Sequence, residues 1–209
     1  MQSTESLVVI ALNSSLKAYG GDIAVGSMTI LSSLMQMLSM PLSGLTQGAQ
    51  PIVGYNYGAR QNGRVKQAFR LLMISALVFS TLYWLAVMLF PRAFVLLFCD
   101  KQELIAPSAW ALRIYMGGAF MLGAQIACQQ TFLAVGQAKV SLFLALLRKI
   151  VLLIPLVYIL PHLLADRVMA VYLAEPVADV LASLTTVTIF SLRFRRILAT
   201  NCPAAAPPE

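Results

Sequence analysis

Charged residues are scarce in this sequence. Asp, Glu, Lys and Arg make up 11% of its 209 residues, whereas a soluble domain carries about 25%. Hydrophobic residues make up 59%, and the mean hydropathy is +0.80. One aqueous core cannot hide so much apolar surface. The composition therefore excludes an ordinary soluble protein and indicates that the lipid bilayer is the solvent of this chain.

Histidine and cysteine are also rare, which excludes most metal and nucleophile chemistry. His162 is the single histidine, and the three cysteines, Cys99, Cys128 and Cys202, are widely spaced. This pattern matches neither a disulfide framework nor a metal site. The sequence contains no His-Glu-x-x-His and no Gly-x-Ser-x-Gly motif, the patterns of zinc and serine proteases. We therefore predict that the protein is not an enzyme and holds no metal or cofactor.

Six hydrophobic runs, separated by short charged or Pro/Gly breaks, predict six membrane-spanning helices. A span needs about 20 residues at a rise of about 1.5 Å each. The runs are Thr4–Ala18, Ile23–Tyr57, Phe69–Phe90, Ala109–Val135, Val140–Leu160 and Val168–Leu192. Because Met1–Leu16 gives only about 24 Å of helix against a core of about 30 Å, we expect the chain to begin inside a helix, as a piece of a longer protein. We expect the Pro- and Ala-rich tail, residues 199–209, to be disordered.

The basic residues favour one orientation across the membrane. Eight lie near the ends of the second, fourth and sixth runs, namely Arg60, Arg64, Lys66, Arg70, Lys139, Arg193, Arg195 and Arg196. Four lie at the opposite ends, namely Lys17, Arg92, Lys101 and Arg167. Because basic residues concentrate in cytoplasmic loops, the first set and both termini are predicted to be cytoplasmic. This distribution also argues against nucleic-acid binding, despite a net charge of +7.

The segment Pro41–Arg60, PLSGLTQGAQPIVGYNYGAR, is unusually polar for a membrane helix. It closes a stretch of 37 residues, Ile23–Ala59, without a charged side chain, and it is rich in Gly, Pro, Gln, Thr and Ser. Uncharged amides inside a membrane are satisfied by neighbouring helices or by a water-filled path. We interpret this polar interior as that of a transport protein.

Six segments carry a resemblance to a known family. They are LKAYGGDIAVG, GLTQGAQPIVGYNYGARQNGRVKQAFR, LFCDKQELIAPSAWALRIYM, QTFLAVGQAK, LLRKIVLLIPLVYILP and AEPVADVLA, in this order along the chain. Together they are similar to the multidrug and toxic compound extrusion (MATE) family, in its subgroup of bacterial drug exporters. The resemblance implies an all-α membrane protein in which residues 1–198 form a six-transmembrane-helix bundle, the second lobe of a twelve-helix transporter.

The resemblance also implies a function. Members of this family export amphipathic or cationic compounds across the inner membrane in exchange for H+ or Na+, through a substrate cavity between two lobes. The implied partners are the lipid bilayer, the missing N-terminal six-helix lobe and the exported compounds. Two alternatives stay open, a lipid-linked oligosaccharide flippase of related architecture and a non-functional truncated remnant.

Three acidic residues within the spans are candidates for ion coupling. Glu175 and Asp179 are four residues apart and so share one helix face. At bilayer depth they should not both ionise freely, so one could exchange a proton, or the pair could hold a cation. The alternative is a structural pair, bonded to a neighbouring helix or to Arg148 or Arg167. In the family an acid on the first helix can belong to the cation site, which makes Glu5 the third candidate; alternatively it is a solvated residue near the chain terminus.

Amide side chains are the candidates for a substrate cavity. Gln47 and Gln50 are spaced i, i+3, and Gln125 and Gln129 are spaced i, i+4, so each pair should face one side of its helix. Such amides either line a cavity and offer hydrogen bonds to a substrate or join neighbouring helices. The candidate set is completed by Asn13 and Tyr172.

Overall fold

A computed structural model describes residues 2–99, 101–164 and 166–200, with the side chains of 2–7 and 200 left aside. All regular secondary structure in this part of the chain is helical. The helices are α1 (Gln2–Gly58), α2 (Asn62–Leu89), α3 (Pro91–Leu96), α4 (Gln102–Tyr115), α5 (Leu122–Ala134), α6 (Ala138–Leu146), α7 (Ile154–Leu163) and α8 (Arg167–Thr200). A 3-10 turn, Ala119–Met121, precedes α5, and a π-helical segment, Leu147–Leu153, joins α6 to α7.

Helix α1 folds back on itself at Gly21. This residue has φ 64° and ψ −158°, a non-helical conformation that glycine adopts without steric cost. Val8 and Leu12 from the first arm line the same small cavity as Met35 and Ser39 from the second arm. The two arms therefore lie side by side, and the predicted turn at residues 19–22 is where the chain reverses.

The fourth predicted span is bent rather than continuous. It begins earlier than predicted, at Gln102, and α4 and α5 meet at an angle of 50°. The bend lies at Gly117 and Gly118, beside Pro176 of α8. A Cβ atom on Gly118 would lie only 2.9 Å from the carbonyl oxygen of Pro176, so the absence of a side chain permits the close approach of the two backbones.

The prediction of an all-α, six-span bundle is confirmed. By length and apolar composition four described helices can cross a membrane, or five when the bent pair counts as one span: Val8–Gly58, Asn62–Leu89, Ala138–Leu163, Arg167–Ala199, and Gln102–Tyr115 with Ala119–Ala134. The first of these contains two passes because it reverses at Gly21. Helix α8 continues through Thr200 into the first residues of the predicted tail, and 201–209 lie outside the described residues.

The basic residues predicted to share one side of the membrane lie at one end of the bundle. There the Asn62 side-chain amide donates a 2.8 Å hydrogen bond to the carbonyl of Leu198, and Lys139 and Arg193 border one small cavity. At the other end the Arg167 guanidinium lies 5.4 Å from the centre of the Tyr19 ring. We call the first of these the basic end; its assignment to the cytoplasm stays a prediction.

Two apolar cores hold the bundle together. The larger packs the arms of α1 against α2, α4 and α8 through buried leucines such as Leu31, Leu34 and Leu112. The smaller lies at the basic end and contains four phenylalanines, which we call the phenylalanine cluster. Its ring centroids lie 4.5 to 5.3 Å apart; the members are Phe69, Phe132, Phe190 and Phe194.

Candidate functional site

A buried ion pair joins the fifth and sixth passes. In Arg148 the Nη2 atom lies 2.6 Å from Oδ1 of Asp179, and the Nε atom donates a 2.7 Å hydrogen bond to the same oxygen. Nη2 also lies 3.7 Å from Oε1 of Glu175. The Asp179 side chain is 1% exposed and that of Arg148 is 18% exposed. One guanidinium thus contacts two carboxylates that share a face of α8, and its single positive charge offsets one of their two negative charges.

The local backbone on both sides of this ion pair is irregular. Arg148 lies in the π-helical segment Leu147–Leu153, and such segments occur frequently at functional sites. Pro155 follows the segment and has no amide hydrogen for the carbonyl of residue 151. On the other side, Pro176 lies between the two acids and removes a hydrogen bond from α8. Both helices are therefore less constrained at the ion pair than a regular helix would be.

One oxygen of this cluster is not paired. The Oδ2 atom of Asp179 is buried and has no hydrogen-bond partner among the described residues. A buried carboxylate oxygen without a partner is costly, so it calls for an explanation such as a water molecule or an ion. Oδ2 is an acceptor in position for a proton, a water or a small cation.

A cavity of about 180 Å³ adjoins the ion pair. Glu175, Arg148 and Lys149 contribute the charged part of its wall, and Tyr115, Ser32 and Gln36 contribute further polar groups. Apart from Ser39, the rest is apolar and comes from both arms of α1, α5 and the π-helical segment. A larger cavity, of about 560 Å³, lies near Arg92 and Arg113, and none of the predicted site residues lines it.

The structure brings Glu175 and Asp179 together and places the amide candidates elsewhere. Gln125 is fully buried inside the lobe, where it accepts a 3.2 Å hydrogen bond from Ser183. Tyr172 is also buried, and its hydroxyl donates a 2.9 Å hydrogen bond to the carbonyl of Ala24. Gln36 is the one glutamine or asparagine among the described residues that lines the cavity beside Glu175, whereas Gln47, Gln50, Gln125, Gln129 and Asn13 do not line it.

The remaining candidates are more exposed. Gln47 is exposed on the second arm of α1, whereas Gln50, Gln129 and Asn13 are half-buried. The side chain of Glu5 lies outside the described residues. Val8 and Val9, one helical turn further along α1, line the cavity beside Glu175.

The sequence pointed to the two acids but left their partner open between Arg148, Arg167 and a neighbouring helix. Arg148 is that partner, while Arg167 lies against Tyr19 at the far end of the bundle. Ser183 and Thr186 were not singled out, because hydroxyl side chains are common in membrane helices. Ser183 and Thr186 follow Asp179 by four and seven residues, and this spacing could have indicated that they share its helix face.

A six-pass helical bundle with an ion pair buried beside an internal cavity defines a multi-pass membrane protein with a charged interior. The MatE family model matches residues 1–159. The chain therefore belongs to the MatE family, the multidrug and toxic compound extrusion family that its sequence resembles.

Individual relatives extend this match over most of the chain. The chain is 25% identical over 186 residues to the multidrug export protein MepA of Staphylococcus aureus (strain MSSA476). This alignment covers 88% of the chain and 40% of MepA. It is 24% identical over 188 residues to MepA of Staphylococcus haemolyticus, with coverages of 89% and 40%. The chain thus spans about 40% of the length of these relatives.

Solved structures give the same picture. The MATE multidrug transporter DinF-BH, solved as a complex with a bound compound, matches with a TM-score of 0.79 and 38% identity, over 94% of this chain and 44% of that one. A MATE crystal structure in the bent conformation matches with a TM-score of 0.89 and 20% identity, over 96% of this chain and 44% of that one. The chain therefore has the fold of one half-length lobe of a MATE transporter.

Proposed function

We propose that this chain forms one lobe of a two-lobe multidrug exporter in the bacterial cytoplasmic membrane, with the basic end of the bundle in the cytoplasm. Family membership and a length of 40 to 44% of its relatives support this proposal. The companion lobe completes the substrate cavity, whichever polypeptide carries it. We call the two lobes together the assembled transporter.

The contact between Arg148 and Asp179 is the observation that carries the coupling mechanism. A proton or Na+ that arrives at the carboxylates competes with the guanidinium, since Oδ1 of Asp179 is only 2.6 Å from Nη2 of Arg148. Binding of the cation weakens the attachment of the π-helical segment to α8. A ligand shifts a conformational equilibrium only through its different affinities for the two states, and this exchange of partners provides such a difference.

The two helices that hold the ion pair are suited to respond. Arg148 lies on the π-helical segment before Pro155, and the acids flank Pro176. Prolines inside helices create bends at defined positions. Release of Arg148 therefore changes the angle between the fifth and sixth passes, and this change within the lobe promotes the rocking of one lobe against the other that alternating access requires.

The second arm of α1 is the proposed substrate surface. Its exposed residues combine amide groups with pliable apolar side chains, among them Gln47, Met40, which is 70% exposed, and Tyr55, which is 77% exposed. Methionine adapts to ligands of different shape, and a tyrosine ring attracts cations. This composition suits amphipathic and cationic compounds.

The test is the Asp179→Asn variant of the assembled transporter, reconstituted in vesicles with an imposed H+ or Na+ gradient. We expect gradient-driven efflux of a fluorescent cationic compound to be abolished, while its binding in the absence of a gradient is retained. Glu103→Gln, an exposed acid in the first turn of α4, is the matched control and should leave efflux unchanged. Efflux at the wild-type rate from Asp179→Asn would refute the coupling role.

A further inference from the structure

Helix α8 carries a column of buried polar side chains that continues beyond the ion pair. Glu175, Asp179, Ser183 and Thr186 follow each other at spacings of four, four and three residues, which places them on one helix face. Their exposed fractions are 8%, 1%, 1% and 0%. The column therefore runs inside the lobe, from the cavity beside Glu175 toward the basic end.

Three polar atoms along this column have no hydrogen-bond partner among the described residues. They are Oδ2 of Asp179, Nε2 of Gln125 and Oγ1 of Thr186. Gln125 belongs to the column because its Oε1 accepts the hydrogen bond from Ser183. Buried polar groups are nearly always satisfied by protein or by an ordered water, so three unpaired atoms in one column require a common explanation.

The hydroxyl of Thr186 does not donate a hydrogen bond to the backbone of its own helix. Its neighbours Thr185, Thr188 and Ser191 each donate a hydrogen bond of 2.7 or 2.8 Å to the carbonyl four residues earlier. Those three side chains are exposed or half-buried, whereas Thr186 is fully buried and does not make the corresponding bond. Its hydroxyl group is thus available to a partner inside the lobe.

The register between α5 and α8 fixes what borders the column. Gln125 contacts Ser183, and seven residues further along both helices the Phe132 ring lies 5.0 Å from the Phe190 ring. The two helices therefore run parallel, and Cys128, which is fully buried in the smaller apolar core, lies at the level of Thr186 in the sequence register. Past this level the phenylalanine cluster closes the basic end.

We propose that water molecules fill this column and form a proton path between the Glu175 cavity and Thr186, closed at the basic end by the phenylalanine cluster. Water is the partner that fits all three unpaired atoms, because it donates to Oδ2, accepts from Nε2 and does either with a hydroxyl. The path rests on the proposed function, since it supplies the coupling proton to Asp179.

Proton transfer along the path balances without any further reactant. Each water oxygen accepts a proton on one side, forming one O–H bond, and releases another proton on the other side, breaking one O–H bond. The last proton binds Oδ2 of Asp179, which becomes a neutral carboxyl group and gives up its charge pairing with Arg148. The reverse sequence returns the proton to the path.

The same geometry suits a proton better than Na+. A sodium ion needs several oxygen ligands and repels the guanidinium, which already lies 2.6 Å from Oδ1 of Asp179. The Nε2 group of Gln125 is a donor and cannot bind a cation. A proton needs only one lone pair and passes from one group to the next.

The thiol of Cys128 tests whether water reaches the level of Thr186, where the column meets the smaller apolar core. The experiment uses this chain in lipid bilayers with Cys99→Ser and Cys202→Ser, so that one S–H group remains, and follows its infrared stretching band after transfer to D2O. We expect rapid deuteration. A dry reference is the thiol created by Val87→Cys in the Cys128→Ala background, because Val87 is fully buried in the larger apolar core; it should exchange at least about tenfold more slowly.

Two column variants test the polar lining. Ser183→Ala with Thr186→Val should slow deuteration of the Cys128 thiol toward the dry reference, whereas Thr188→Val, which removes an exposed hydroxyl from the same helix, should not. Thr186→Ser keeps a hydroxyl group and should keep rapid exchange. Should the double variant fail to fold, the comparison of Cys128 with the Val87→Cys thiol decides by itself.

Equal, slow exchange of the two buried thiols would overturn the water path. That result leaves the proposed function intact if Asp179→Asn still abolishes efflux. Conversely, rapid exchange at Cys128 together with normal efflux from Asp179→Asn would refute the proposed coupling role of Asp179 while the water column stands.

Discussion

The guanidinium of Arg148 holds Oδ1 of Asp179 through two nitrogen atoms, Nη2 at 2.6 Å and Nε at 2.7 Å. Both contacts go to one oxygen, so Oδ2 of the same carboxylate is left without a described partner. Glu175 lies further from Nη2, at 3.7 Å. The ion pair thus fixes Oδ1 of Asp179 and leaves Oδ2 available to bind and release a proton.

The first prediction concerns the stability of this pair. Arg148→Met should lower the free energy of unfolding by about 3–5 kcal/mol, because it leaves a buried carboxylate without its counter-charge. Arg148→Met combined with Asp179→Asn should recover at least half of that loss. The measurement is a denaturant titration of the purified chain in detergent. Equal stabilities of the single and the double variant would contradict this prediction, because the carboxylate left in Arg148→Met would then cost nothing.

The second prediction concerns the packing of α5 on α2. A Cβ atom on Gly123 would lie 2.6 Å from Oγ of Ser80 and 2.8 Å from the carbonyl carbon of Ala76. Gly123→Ala should therefore destabilise the lobe by about 1–3 kcal/mol, the usual effect of overpacking. Gly48→Ala is the matched control, because no atom lies within 4 Å of its Cβ position; it should be neutral or stabilise by up to about 1 kcal/mol. A thermal melt of both variants checks this order.

The third prediction concerns a hydrogen bond between α1 and α4. The buried hydroxyl of Ser108 donates a 2.9 Å bond to that of Ser27. A double-mutant cycle with Ser27→Ala and Ser108→Ala should give a coupling energy of about 0.6 kcal/mol, the average for such bonds inside membrane proteins. A coupling energy indistinguishable from zero would show that the hydroxyls find other partners.

The fourth prediction concerns access to the second arm of α1. Gln47→Cys, in a background without other cysteines, should react with a membrane-impermeant thiol reagent in the assembled transporter, if the exposed face of this arm lines the substrate cavity. The control is Leu82→Cys on α2, where a leucine that is 61% exposed should face lipid and be protected. Protection of both thiols would instead favour packing of Gln47 against another helix.

Much of the fold followed from the sequence because charge and hydropathy mark the ends of membrane helices clearly. The turn before Asp22 and the basic loop after Tyr57 each lie where a pass ends in the structure. The bend at Gly117 and Gly118 was not predicted, since the uncharged run around it gives no polar signal of a break. It depends on the close contact with Pro176 on a different helix.

The candidate site was predictable only along one helix. A spacing of four residues placed Glu175 and Asp179 on one face, but no periodicity tells which residue of another helix lies opposite. The same limit applies to the amides, because Gln125 and Gln47 look equivalent in sequence. In the structure one is fully buried beside Ser183 and the other is exposed.

The contact of Gly118 with Pro176 has a mechanical consequence. It places the bend between α4 and α5 at the same level as Pro176 in α8, so that bending of either helix displaces the other. Glu175 is the residue immediately before Pro176. A change of charge there acts directly beside the point at which the two helices touch.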